Sequence, residues 1–202
     1  MREDVRRDLS DSANDFQRVV WPAIQKACGG GSLRPVEAVT SSDFERELDM
    51  LAGIDAWQIT AAGIRGIASR VQWTSRNWRS FTIRKSRQTT SNTEFVKRLM
   101  ALRQRERGWI FPHLTVQAYL TFPKPGGRLI AVGIVRTQPL YEYAQVHLSD
   151  LEVKRNPQDD VEFYVVYWQE LRAAGVVMVE ILGSSGETST EMYKGIAVNP
   201  KT

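Results

Sequence analysis

Gly53-Ile54-Asp55-Ala56-Trp57-Gln58-Ile59 and, after Ala61-Ala62-Gly63 and Gly66, Ile67-Ala68-Ser69-Arg70-Val71-Gln72-Trp73 decide how this chain is read. Both runs are apolar, β-branched and aromatic and are separated by small residues, which is the pattern of two strands joined in a hairpin. With the turn centred near residues 62–63, Asp55 lies opposite Arg70. Period-two alternation then puts Arg70 and Gln72 on the Asp55 face. Upstream, Ser42-Asp43-Phe44-Glu45 has the form of a capping box, and Phe44, Leu48 and Leu51 form the apolar stripe of a helix that ends at Gly53. Glu47 falls within that stripe, whereas Asp49 is rotated about 100° away from Leu48. A carboxylate on a buried stripe needs a cation or a metal for a partner.

Working outward, Ser80 to Arg84 reads as a third strand. Ser91-Asn92-Thr93-Glu94 opens a helix with the stripe Phe95, Leu99 and Leu102, and Leu114 to Leu120 alternates as a half-buried strand. Pro123 to Gly127 turns the chain into a strand over Leu129 to Val135, followed by a short helix from Leu140 to Val146. Phe163 to Tyr167 and Val176 to Leu182 read as strands around a helix from Gln169 to Ala174. At the front, Val5, Leu9, Phe16, Val20 and Ile24 predict an amphipathic helix over 3–26 that Pro22 kinks or divides. Cys28-Gly29-Gly30-Gly31-Ser32 breaks it, and Pro35 keeps the residues after it extended. The expectation is one domain over 1–202 of the α/β (α+β) class, with a mixed central sheet flanked by helices. Its parts are an N-terminal helix and Gly-rich turn (1–40), a core (41–122), a C-terminal β/α extension (123–182) and a loop and tail (183–202).

The chain has 202 residues, 42% apolar and 25% charged, in keeping with a globular domain rather than a disordered or fibrous one. A lone Cys28 cannot make an intrachain disulfide, and with only His113 and His147 it cannot build an ordinary zinc site. Cys28 reads as a half-buried thiol rather than a nucleophile. No apolar run approaches the ~18 residues of a membrane span, and Met1 to Ser12 lacks the apolar region of a secretory signal, so no membrane partner and a cytoplasmic location are expected.

The net charge of +4 is unevenly spread. From Arg70 to Arg107 there are eleven Lys/Arg against Glu94 and Glu106, a net +9 that leaves −5 for the rest. Such segregation, interleaved with Trp73, Trp78 and Phe81, suits a surface that contacts nucleic-acid phosphates, with Arg76, Arg79, Arg84, Lys85, Arg87, Lys97, Arg98 and Arg103 as candidate contacts. A solvated face is the competing reading.

The order of a helix bearing an acid, Gly53-Ile54-Asp55 opening a strand, a hairpin, and Ser69-Arg70-Val71-Gln72 on the next strand resembles the PD-(D/E)XK nuclease superfamily over roughly residues 42–122. The resemblance implies an αβββαβ restriction-endonuclease-like core and a nuclease, endo- or exonucleolytic, that hydrolyses phosphodiesters with Mg2+ or Mn2+. It also implies Asp55 and Glu47 as metal ligands and a catalytic set of Asp55, Gln72, Glu47, Arg70 and Lys85. In this sequence Arg70 stands in the acidic slot and Gln72 in the lysine slot, and Lys85 on the strand expected beside it is the candidate for the displaced positive charge. Nucleic acid is the expected partner, DNA ahead of RNA, with a homodimer left open.

Each residue also has a structural reading. Asp55 and Arg70 would form a cross-strand ion pair, Glu47 would pair with an arginine, Glu94 would cap its helix, Trp73, Trp78 and Trp109 would pack, and His113 would end a strand. Three functions therefore stand: a metal-dependent nuclease, a nuclease-like module that binds nucleic acid without cleaving it, and a protein-interaction domain with a basic face.

Overall fold

The computed structural model describes residues 10–36, 53–86, 93–104, 110–156 and 161–183. Six strands form the main sheet in the order β1 (Ser32–Pro35), β2 (Ala56–Thr60), β3 (Gly63–Trp73), β5 (Leu114–Leu120), β6 (Leu129–Arg136) and β9 (Met178–Leu182). All neighbours run antiparallel except β3 and β5, which are parallel and joined by a crossover containing helix α2 (Glu94–Arg103). A smaller antiparallel sheet has the order β4 (Ser80–Ser86), β8 (Val161–Tyr167) and β7 (Glu152–Asn156). Helices α3 (Thr137–Val146) and α4 (Trp168–Ala173) complete this layer. The mixed α/β class is as expected, but β4 belongs to the second sheet and not beside β3. The αβββαβ assignment over residues 42–122 therefore loses its third strand.

The main sheet is covered on both faces. On one, Phe16, Val20, Trp21 and Ile24 pack over Ala56, Ile67, Val71, Val116, Ala118, Val132 and Ile134. A π-helical turn (Phe16–Val20), closed by the Trp21 N–H donating to the Phe16 carbonyl, leads into helix α1 (Trp21–Ile24), so the division expected at Pro22 takes the form of a widened turn just before it. On the other face Tyr119, Ala131 and Val135 pack against Phe81, Leu140, Tyr141, Trp168 and Leu171. Gly133 allows the closest approach of the layers: a Cβ there would lie 2.5 Å from Trp168 Cε2. Because β5 is covered twice, it is buried at six of its seven positions rather than half-buried.

Several boundaries follow from tertiary pairing. β1 forms in a stretch read only as extended, because β2 supplies it with a partner. The hairpin turn is Ala61-Ala62, with β3 already starting at Gly63, so Thr60 faces Gly63 and Ala56 faces Ile67. Continued by one residue, that register sets Asp55 across from Ala68, two positions short of Arg70. The Arg70 and Asp55 pairing read from the sequence is thereby corrected. Helix α3 starts at Thr137, three residues earlier than expected, and β7 was not foreseen.

Candidate nucleic-acid interface

Asp55 lies one residue before β2 and joins three chain segments. Its N–H donates to the Ile67 carbonyl (2.9 Å), its carbonyl accepts from the Val36 N–H (2.9 Å), and its Oδ2 accepts from the Ser69 N–H (2.5 Å). β2 pairing ends at Ala56, so the carboxylate stands in for the carbonyl that Ser69 would otherwise lack. Asp55 also lines a cleft of about 50 Å3 with Ser12, Ala13, Phe16, Pro35 and Ser69, enough for one or two waters. Magnesium needs one or two carboxylates with further oxygens around them. Asp55 has one oxygen engaged by Ser69, Glu47 lies outside the described residues together with Asp49, and among the described residues no group of three or more His, Cys, Asp or Glu is placed to hold a metal. The described donors do not make a Mg2+ or Mn2+ site.

Arg70 is held on the side of the second sheet. Its Nη1 donates to Thr82 Oγ1 (3.0 Å), its Nη2 pairs with Glu94 Oε2 (3.3 Å), and its guanidinium lies 4.8 Å from the Phe163 ring centroid. Thr82 passes a hydrogen bond on to Gln117 (3.1 Å), which faces Arg70 in the β3–β5 register. Gln72, one step further, faces Tyr119. Lys85 is not next to this row; it pairs with Glu162 Oε2 at 3.0 Å within the second sheet.

The centre of this junction is Glu94, the first residue of α2. Its N-cap is Thr93, which makes no side-chain capping bond, so the capping role expected of Glu94 is replaced by another. Arg98, one turn along and buried, places Nε 3.5 Å from Glu94 Oε1 and donates through Nη2 to the Gly53 carbonyl (2.9 Å). Tyr141 donates its hydroxyl to the same Oε1 (3.0 Å). Burial pushes the Glu94 carboxyl up, but Arg70, then Arg98 and Arg84, with the Tyr141 hydrogen bond, outweigh it and hold its pKa below the ordinary carboxylate value. Burial, reinforced by Glu94, drives the Tyr141 hydroxyl well above its usual range, so it remains a donor. Cys28 is buried and its thiol is pushed up to about 12, which leaves it protonated at neutral pH. His113 Nδ1 accepts the Gly66 N–H (3.2 Å) just before β5, the strand-end role expected of it.

The basic stretch therefore divides. Arg70 and Arg98 turn inward onto Glu94, and Arg84 contributes its charge there. Arg79 pairs with the buried Glu180 (2.7 Å), which Arg172 also engages, and this second node pins the layers together. Arg76, Lys97 and Arg103 are exposed, and Arg87 lies outside the described residues, as does Trp109.

Where β3 and β5 end, two loops lie side by side, tied by the Thr74 N–H donating to the Leu120 carbonyl (2.8 Å). Lys124 Nζ lies 4.7 Å from the Trp73 ring centroid. Trp78 has Arg76 Cζ at 5.7 Å and, from β7, Lys154 Nζ at 4.6 Å; Lys154 is also 5.8 Å from the Tyr167 ring. Phe122 is 66% exposed at the tip of its loop. Sequence reasoning missed Lys154 and Lys124, which lie outside the basic stretch, and it missed the part played by Glu94; only the two-acid count around Glu94 hinted at an unusual carboxylate.

Comparison with protein-family models, with curated proteins and with solved structures finds no match. The fold and site define a mixed α/β protein whose two sheets are joined by partly buried ion pairs and whose main sheet ends beside basic and aromatic side chains. No helix among the described residues is long and apolar enough to cross a membrane.

Proposed function

We propose that this chain binds nucleic acid through the edge where β3 and β5 end, as a nuclease-like module that does not itself cleave. The observation that carries this reading is the seating of cations on ring faces near that edge: Arg76 and Lys154 on Trp78, and Lys124 on Trp73, whose indole N–H is held by Asp15 (2.9 Å). Cations supply the phosphate term of affinity, and aromatic faces beside them supply contacts that a merely solvated basic face has no use for. The nuclease-like part rests on the resemblance of the hairpin alone, since in chain order β4 stands between β3 and α2 and belongs to the other sheet. The absence of cleavage rests on Arg70, a fixed cation in the acidic slot that repels a divalent metal.

The test is binding of labelled oligonucleotides from ~50 mM to ~200 mM salt, over which contacts to several phosphates lose orders of magnitude in affinity. A chain that binds no oligonucleotide at the lower salt concentration is the protein-interaction domain instead. Metal-dependent hydrolysis is a second reading, favoured by Asp55 lining a small cleft. Cleavage in Mg2+ or Mn2+ that Asp55→Asn abolishes would establish it over the binding module.

A further inference from the structure

We propose that Trp78 is a stacking platform for an unpaired base of single-stranded nucleic acid, with Arg76 and Lys154 taking the phosphates on either side. The inference rests on the nucleic-acid reading above and narrows it from any polyanion to a strand whose bases are free. Trp78 sits in the loop between β3 and β4 and is 38% exposed, although the core between the sheets begins at Ser80 and Phe81, two and three residues later. The loop is built to keep it there. Thr74 Oγ1 accepts the Arg76 N–H (3.0 Å) and Asn77 Oδ1 accepts the Arg79 N–H (3.2 Å), closing two short side-chain turns around the indole.

Arg79 has φ of 46°, a left-handed conformation costly for an arginine and the only positive φ of a non-glycine residue among those described. It is held by the Trp168 N–H donating to its carbonyl (2.9 Å) and by its ion pair with Glu180. A strained residue clamped at both backbone and side chain, directly after an outward-facing indole, is a device for presenting that indole.

Cations then surround the ring. Arg76 is exposed and has no ion-pair partner among the described residues, and its guanidinium lies at the outer reach of the ring. Lys154 is closer and is shared with Glu152 (3.5 Å) and the Tyr167 hydroxyl (3.4 Å). A phosphate attracts either cation more strongly than the ring does, so an arriving strand draws them from the indole face and leaves that face to a base. Duplex DNA cannot use the platform, because its bases are already stacked and it offers phosphates and groove edges. A single strand can, whatever its sequence, since every base has a π-face.

The experiment compares one labelled 20-mer as a single strand and as a duplex, by fluorescence anisotropy, for the wild type, Trp78→Ala and Trp78→Phe, with folding followed by circular dichroism. Trp78→Ala is expected to weaken single-strand binding by about 5- to 100-fold and duplex binding by less than about twofold, while Trp78→Phe retains most of it. Arg76→Gln and Lys154→Gln should each flatten the single-strand salt slope by about 0.7. As a readout on the unaltered chain, photo-crosslinking a bromouracil-substituted strand should mark the peptide holding Trp78. Unchanged binding by Trp78→Ala, an equal loss on strand and duplex, or a crosslink elsewhere overturns the platform and leaves the nucleic-acid reading standing. A wild type that binds neither form at ~50 mM salt overturns both.

Discussion

Two regions of the same basic stretch, a few residues apart in sequence, use their charge in opposite ways. At the junction of β3, β4 and α2, Arg70 and Arg98 converge on Glu94 with Tyr141 and Thr82, and the charge serves the packing of two layers. In the loop after β3, Arg76 stands in solvent beside a half-exposed Trp78. A net charge counted along a sequence is therefore not a surface charge. Part of the +9 is taken up by the half-buried Glu94 and the buried Glu180, and what reaches the surface is supplemented by Lys124 and Lys154, which the count left out.

The largest effect that can break this comparison is expected from Arg70→Glu. On sequence grounds that change restores an acidic residue to the nuclease pattern. In the structure it sets a second carboxylate against Glu94 and removes the cation that compensated it. A loss of about 2 kcal/mol in urea unfolding is expected, since breaking one partner of a half-buried pair costs less than the full penalty of a buried one before like-charge repulsion is added. Stability unchanged within error would mean that the Glu94 junction contributes nothing to the packing of the layers.

Glu94→Gln comes next, at about 1–2 kcal/mol by the same argument, with oligonucleotide affinity of the folded fraction unchanged. A parallel loss of affinity would show instead that the inner arginines touch nucleic acid. The pH dependence follows from Glu94 with a definite sign. Its folded pKa is depressed, so the stability it contributes is complete above the unfolded carboxylate value of about 4.3 and is lost as pH falls through the folded value. Urea midpoints of the wild type should drop below about pH 4, and those of Glu94→Gln should drop less. An identical acid limb in both proteins would assign the acid sensitivity to other carboxylates.

Asp55→Asn should cost about 1 kcal/mol at the Ser69 contact, because the amide oxygen can still accept the Ser69 N–H without the charge assistance. Manganese binding, followed by isothermal titration, should not differ between this variant and the wild type; a measurable loss would bring back the metal reading. The smallest effect on stability belongs to the outer region: Arg76→Gln should change it by less than about 0.5 kcal/mol while flattening the salt dependence of binding. A large stability loss there would erase the distinction between the two regions.

What was legible beforehand is instructive in its limits. Leu114–Leu120 and the helix beginning near Glu94 were read with close boundaries because their apolar periodicities are strong. Asp55 was read as a metal ligand or as the ion-pair partner of Arg70; the residue expected across from it was wrong by two positions, because Gly63 was assigned to the turn when Ala61-Ala62 suffice. An even shift preserves the alternation along β3, but Asp55, one residue before β2, borders the cleft on the Phe16 side while Arg70 is held on the side of the second sheet. Alternation along β4 likewise separates Arg84 from Lys85, yet nothing local says that Arg84 adds its field to Glu94 whereas Lys85 meets Glu162.

By itself the amino-acid order determined the class of elements, the hairpin, the alternation along β3 and the concentration of positive charge, since these follow from periodicity, turn chemistry and composition acting over a few residues. Only the tertiary structure decided that β4 leaves the main sheet, that Glu94 becomes the partner of Arg70, and that Lys154 reaches Trp78 from β7. The physical reason is that pairing between distant strands, and the burial of one charge against another, depend on which surfaces meet. That choice is settled by the packing of whole layers, which no short window of sequence contains.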